Sequence, residues 1–430
     1  MKDLFNKALN VTCLTICGAV SHAEDVSTHS AIVGGETLPR LIHAALAKSP
    51  ELEALRGELE AVKAKQSDLS WWDVPEVRMG YGRDARVSSD FQSDQDPNHE
   101  YDAALRIFPR NPWERKAAGL KLQSEYGLGQ KSLGLNEQLI VLNVKDLYSD
   151  YNYHVAELAV QKQVAAIYES QSKAMEALLE SGQASISQSL PVQMKVLDAT
   201  FDLNDSERSV AMALNELVRM TGLDKRFIRA NTLKPLDESA FNFPYSEWES
   251  IALNARIELA EIDHAMDYTQ AELKHLRAEN MPWIKHLQAN YEVRNDYGDR
   301  DSAGVQIAIS LPFFASDNGA KQAAMLTLKS QQQQRTQKTN IVRAEVRALI
   351  DQFESLKAEW SQLNTTVLPL MKSLGESIKA MEAQNAQSNR NYWDAQIAML
   401  ELSKKTLKLL HEYQKLLNQA ERVLGRDLSV

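Results

Sequence analysis

The sequence predicts a mainly α chain with a small β part: long antiparallel helical hairpins of coiled-coil character joined to four short strands. Three observations lead there. The 430 residues hold only 17 Gly and 12 Pro, which favours long uninterrupted helices over a loop-rich sandwich. Four segments of about 10 residues alternate apolar and polar side chains with the period of a strand. The order of helix, strand pair and long helical hairpin also occurs twice along the chain. A hydrophobic content of 44% and a charged content of 25% are those of a folded protein, and a net charge of −10 argues against general nucleic-acid binding.

The N-terminus reads MKDLFNKALNVTCLTICGAVSHAED. Lys2 and Lys7 precede a mostly apolar run, and Ser21-His22-Ala23 is a small-x-small site, so residues 1–23 are expected to be a cleaved signal peptide. LTIC resembles a lipoprotein box around Cys17, but Ile16 is larger than the residue that box requires. Both cysteines, Cys13 and Cys17, lie in this segment, so a mature chain has neither a disulfide nor a thiolate metal site. Beyond it no run reaches the roughly 18 apolar residues of a membrane helix. A membrane crossing by such an exported chain therefore requires a closed β-barrel.

The duplication is carried by punctuation residues. Pro50 aligns with Ile257 and Pro75 with Pro282 at an offset of 207; Pro109 aligns with Pro312, Gly182 with Asn385 and Gly222 with Gly425 at 203. The first repeat is assigned to 36–222 and the second to 240–425. Each opens with a helix, 37–70 and 246–280. Strand pairs follow at about 76–108 and 284–312. In the first, Tyr101, Ala103, Leu105 and Ile107 share a face; in the second, Leu287, Ala289, Tyr291 and Val293 alternate, as do Val305, Ile307, Ile309 and Leu311. Their length suits a membrane-spanning strand. The acidic connections, residues 88–99 and 295–302, are then the loops facing the cell exterior. Trp71, Trp72, Trp113 and Trp283 fall just outside the strands, at the ends nearest the helices, where membrane barrels carry aromatic girdles.

The helical hairpins are expected at about 113–221 and 317–424. At 1.5 Å per residue their outgoing arms, 113–181 and 317–384, each span roughly 100 Å. On the return arms Leu190, Met194, Leu197 and Phe201, and then Leu400, Leu407, Leu410, Leu417 and Leu424, follow coiled-coil spacing and are read as core. At the first tip, Gly182 suits a left-handed turn and Ser185 can cap the return helix. Asn385 and Ser388 hold the matching places in the second. The polar stretch SNRNYWDAQIA, residues 388–398, is thus the start of a return helix.

This order resembles the TolC-type outer-membrane efflux channel family over nearly all of the mature chain. The likeness is carried by SPELEALRGELEAVKAKQ, by the proline ending each strand pair, by the tips at Gly182 and Asn385, by Gly222 and Gly425, and by WDAQ at 393–396, similar to the family's Leu-Asp-Ala-Gln. Asn385 stands where the family usually has Gly. The resemblance implies a homotrimer in the outer membrane, an α-helical periplasmic tunnel, and docking through a periplasmic adaptor to an inner-membrane pump. It implies a passive exit duct for efflux or secretion, with outer-membrane lipid around the barrel. Four strands cannot close a barrel, since about eight are the known minimum; three chains would give twelve. The family's acidic constriction falls on Asn391 and Asp394, with Gln387 one turn earlier, and the tips, at Gly182, Ser185, Asn385 and Ser388, would meet the adaptor.

No enzyme, cofactor or metal motif stands out: GxSxG, a phosphate-binding Gly loop and HExxH are all missing, and His275 and His286 read as surface or packing residues. A soluble periplasmic coiled-coil adaptor or scaffold, without membrane strands, and a secreted helical enzyme are the alternatives.

Overall fold

The computed structural model describes residues 37–84, 98–233, 245–294, 300–311, 318–383 and 390–425. The signal-peptide reading lies outside them. The helices are α1 (Thr37–Lys48), α2 (Pro50–Ser67), α3 (Pro112–Glu180), α4 (Ile186–Thr221), α5 (Tyr245–Ala255), α6 (Ile257–Glu279), α7 (Asn318–Gln362), α8 (Leu368–Ala383) and α9 (Arg390–Leu424). The strands are β1 (Glu76–Asp84), β2 (Asn98–Ile107), β3 (Trp283–Arg294) and β4 (Arg300–Ser310). Among the described residues no helix is long and apolar enough to cross a membrane.

Each expected opening helix is in fact two. Before α2 the Ser49 Oγ accepts the Leu52 N–H at 3.4 Å, and Pro50, which has no N–H to give, takes the first helical position. Between α5 and α6 the break is at Arg256, only 4% exposed. Its guanidinium donates to the carbonyls of Arg422 (3.1 Å) and Val423 (3.3 Å) and to Glu345 (2.6 Å). It thus sits on the carbonyl end of α9, where a helix favours a cation. Lys48, at the other break, does the same for α4, donating to the Gly222 carbonyl at 2.7 Å. Both breaks aim a cation at a returning helix end.

Helix α3 runs 69 residues without interruption. Asn111 starts it, its Oδ1 accepting the Trp113 and Glu114 N–H groups, with Pro112 at the first position. The second outgoing arm is joined by a π-helical turn, Leu363–Val367, between α7 and α8. Pro369 lies just beyond: it donates no hydrogen bond and crowds the carbonyl four residues back, and the wider turn accommodates both defects. Helices α4 and α9 end at Gly222 (φ 62°) and Gly425 (φ 64°). A Cβ on Gly425 would lie 2.7 Å from the Ala255 carbonyl oxygen, so this position excludes larger residues by contact as well as by φ.

The strands form one antiparallel sheet in the order β1-β2-β3-β4. Two cores stabilise the helices. One gathers Leu41, Ala45 and Leu52 with Val144, Tyr148 and Leu217; the other gathers Trp248, Ala252 and Leu259 with Val346, Leu349 and Tyr413. Of the stripes read as core, Leu400, Leu410 and Leu424 are buried and Leu407 and Leu417 half-buried. The stripe on α4 is not. Leu190, Met194, Leu197 and Phe201 are 52, 66, 55 and 60% exposed, because α4 turns its other side, Val192, Ala199 and Leu217, inward.

Candidate functional site

The register aligns the sheet's side chains in rows. Val77, Leu105, Ala289 and Val305 lie side by side; so do Met79, Ala103, Tyr291 and Ala303, and Ile107, Leu287 and Ile307. This face is apolar across all four strands, yet uncovered, with Met79 81% exposed. The opposite face is polar. Arg106 donates to Gln288 Oε1 through Nε (2.9 Å) and Nη2 (2.7 Å) and faces Glu76 at 3.5 Å. Two glycines make room for polar neighbours: a Cβ on Gly80 would fall on the Asp102 carboxylate, and one on Gly304 would meet the Asn290 amide. Such a sheet suits hydrocarbon on one side and water on the other.

The four tryptophans gather where sheet meets helices. Trp72 bridges Pro109, Trp283 Nε1 donates to the Pro109 carbonyl at 2.8 Å, and Trp113 meets Trp283 edge-on at 5.7 Å. Arg115 lies over Trp71 at 3.7 Å. Trp283 is the first residue of β3 rather than just outside it. Aromatics at the far end were missed in the sequence: Tyr81 and Tyr101 face each other at 5.2 Å, and Tyr81 OH is 2.7 Å from His99 Nδ1. The signal was there, since both tyrosines sit at the outer ends of alternating segments.

At the first tip Gly182 is left-handed (φ 70°), and the Gln183 and Ala184 N–H groups donate to the Leu178 carbonyl. Ser185 precedes α4, its N–H donating to Gln188 Oε1 at 2.9 Å. Asn385, Gln387 and Ser388 lie outside the described residues. Asn391 and Asp394 are exposed on the first turns of α9. Tyr392 between them is buried, and its hydroxyl accepts from Gln396 Nε2 at 2.7 Å. The Tyr168 hydroxyl is held above its ordinary pKa, first by burial and then by the Glu401 and Asp394 carboxylates, which puts Asp394 in the electrostatic neighbourhood of α3.

One grouping was not foreseen. Glu114 on α3 and His275 and Glu279 on α6 bring one donor atom each within 4.8 Å of one another. The His-x-x-x-Glu spacing on a helix was visible; the third member, far off in sequence, was not.

The open sheet with one apolar and one polar face and the 69-residue α3 can be set beside known proteins. Residues 41–223 match the family model described as Outer membrane efflux protein. The Alkaline protease secretion protein AprF of Pseudomonas aeruginosa is 22% identical over 289 residues, 63% of this chain; the match spans only 60% of that relative. A membrane protein from Pseudomonas aeruginosa superposes with a TM-score of 0.71 at 19% identity, covering 95% of this chain and 98% of its own. The Campylobacter jejuni CmeC outer membrane channel gives 0.68 at 13%, covering 96% and 92%. The resemblance read from the sequence is thereby shown, in family sequence for residues 41–223 and in fold for nearly the whole chain. By their descriptions these are an outer-membrane efflux family, a secretion protein, a membrane protein and an outer membrane channel.

Proposed function

We propose that the chain is the outer-membrane channel subunit of a tripartite efflux or secretion system, a passive exit duct from an inner-membrane pump across periplasm and outer membrane. The observation that carries this reading is the four-stranded two-faced sheet. Its strands of 9–12 residues match the outer membrane's apolar thickness, and its outer strands β1 and β4 have no neighbour within the described chain. Bare edges and an uncovered apolar face are resolved together when three copies close a 12-stranded barrel. The two halves, 36–222 and 240–425, then act as structural repeats that build a helical tunnel. Trp71, Trp72, Trp113 and Trp283 form the periplasmic-side girdle, and the loops read at 88–99 and 295–302, whose last residues from Asn98 and Arg300 onward belong to β2 and β4, face outward. The tips at Gly182, Ser185, Asn385 and Ser388 meet the periplasmic adaptor. The test is fractionation followed by planar-bilayer recording. Detergent-resistant trimers from the outer membrane that conduct are the expected result; a soluble periplasmic monomer is the result that sinks the proposal.

Within that trimer Asp394, with Asn391 and Gln387, narrows the periplasmic entrance. Three Asp394 carboxylates around one axis attract cations, and their exposure on α9 supports such a ring. Asp394→Ala is expected to weaken block by multivalent cations severalfold and to raise the closed-state conductance in single-channel recordings. Unchanged block in a variant still trimeric and inserted means that Asp394 lines no constriction.

A further inference from the structure

We infer that Glu114, His275 and Glu279 form a binding site for a divalent transition cation of the zinc type, clamping the start of α3 to the end of α6. The two helices run antiparallel in a fixed register. The Asn111 side chain, which caps α3, also donates through Nδ2 to the Ala278 carbonyl at 3.2 Å, pinning the α3 start to the last turn of α6. Two turns further along α3, Lys121 meets Glu272 at 3.3 Å. At that level opposite charges face each other. At the level of Glu114 two carboxylates converge instead, with one imidazole between the helices; His275 Nδ1 is 3.3 Å from Glu279 Oε1. A bound cation would offset the like charges that converge here. Of the three cations that line the cavity beside Glu114 and Glu279, Arg115 donates to the Leu69 carbonyl at 3.1 Å and lies over Trp71, Arg110 pairs with Asp73 at 2.6 Å, and Lys285 enters from β3.

The donor set fits a metal. One imidazole and two carboxylates suit zinc and its neighbours rather than magnesium or calcium, which prefer oxygen shells. Bond lengths of about 2.0–2.2 Å place ligand atoms roughly 3–3.5 Å apart, so the 4.8 Å spread closes by small side-chain rotations. His275 and Glu279, one turn apart on one helix face, act as a chelating pair, and Glu114 closes the set from the neighbouring helix. Glu114 and Glu279 also line a cavity of about 500 Å³ with room for water on the remaining coordination positions. The last turn of α6 adds the negative end of its helix dipole.

The test uses full-length detergent-purified protein without a polyhistidine tag, stripped with a chelator and titrated with Zn²⁺. One equivalent per chain and a raised thermal midpoint of the helical signal are expected. His275→Ala and Glu114→Gln should each weaken binding at least tenfold and remove the shift, while His286→Ala, in β3, keeps both. Co²⁺ added to the unaltered protein should give a visible d–d absorption band from a nitrogen-oxygen shell, which needs no variant to fold. No stoichiometric binding, no Co²⁺ band, or a loss in His286→Ala equal to that in His275→Ala overturns the assignment.

Discussion

Lys145→Met is expected to destabilise the protein by about 3–5 kcal/mol, the loss that follows when one member of a buried ion pair is removed. Lys145 on α3 and Glu421 on α9 are 2.6 Å apart with side chains only 8% and 7% exposed. Removing the ammonium leaves a carboxylate in a site closed to water. Glu421→Gln is expected to be nearly as damaging, because it removes the charge that the buried ammonium faces at 2.6 Å. The double variant Lys145→Met with Glu421→Met should recover most of the loss, since neither charge is then desolvated and both methionine side chains can fill the space. Thermal unfolding of the four proteins in one detergent gives the cycle. Single losses below about 1 kcal/mol, typical of surface pairs, would show that water reaches this one.

The pair does not stand alone. Asp146 accepts from Asn418 at 2.8 Å, and Asp150 takes Lys415 at 2.8 Å and His411 at 3.1 Å. Burial works to raise the Asp150 pKa, but the His411 and Lys415 hydrogen bonds and charges outweigh it and hold the carboxyl below its usual range. Tyr153 stacks on His411 at 4.5 Å, and its hydroxyl is pushed up to about 12 by burial and by Glu157. This polar seam joins the outgoing helix of the first half to the return helix of the second. An all-apolar contact would tolerate sliding along the helices; paired charges at successive turns fix one register.

Much of this was legible before the coordinates. Alternation located the strands because it puts apolar side chains on one face and polar ones on the other: the rows through Val77 and Met79 are apolar, and Arg106 and Gln288 pair on the opposite face. Gly182 and Gly222 marked helix ends because few other residues accept positive φ. The breaks at Ser49 and Arg256 were missed for different reasons. Ser49-Pro50 is a start signal that the surrounding helical periodicity masked. Arg256 breaks its helix to reach carbonyls at the end of α9, a tertiary reason with no local trace. The Lys145–Glu421 pair and the Glu114, His275 and Glu279 cluster are likewise unions of residues far apart in sequence. The Leu190 to Phe201 stripe shows a further limit. Heptad spacing reveals that a helix has an apolar face, and says nothing about which chain covers it.

That face leads to the second large effect: Leu197→Asp is expected to abolish assembly while leaving the fold of the single chain intact. Ile186, Leu190, Met194, Leu197 and Phe201 run along one side of α4, all more than half exposed in the single chain. Fully burying a side chain of this kind is worth roughly 1.5–3 kcal/mol, so the stripe as a whole is a large driving force for contact between copies. Soluble monomers rarely leave so long an apolar row open to water. The proposed occupant is a second copy, because among the described residues β1 and β4 are the edges of the sheet, which further copies would complete. An aspartate at position 197 would have to enter that contact uncompensated, at a cost of several kcal/mol. It replaces a side chain that contributes little to the chain's own core, so the monomer fold should be retained. Asp205→Asn, also on α4 and at an exposed surface ion pair with Arg208, serves as the control. Light scattering coupled to size exclusion should show the control at the mass of three chains and Leu197→Asp at the mass of one, both with the same helical content. A Leu197→Asp protein that still assembles as the control does would mean that this stripe faces lipid-free solvent or the tunnel interior instead, and that the contact between copies is made by other surfaces.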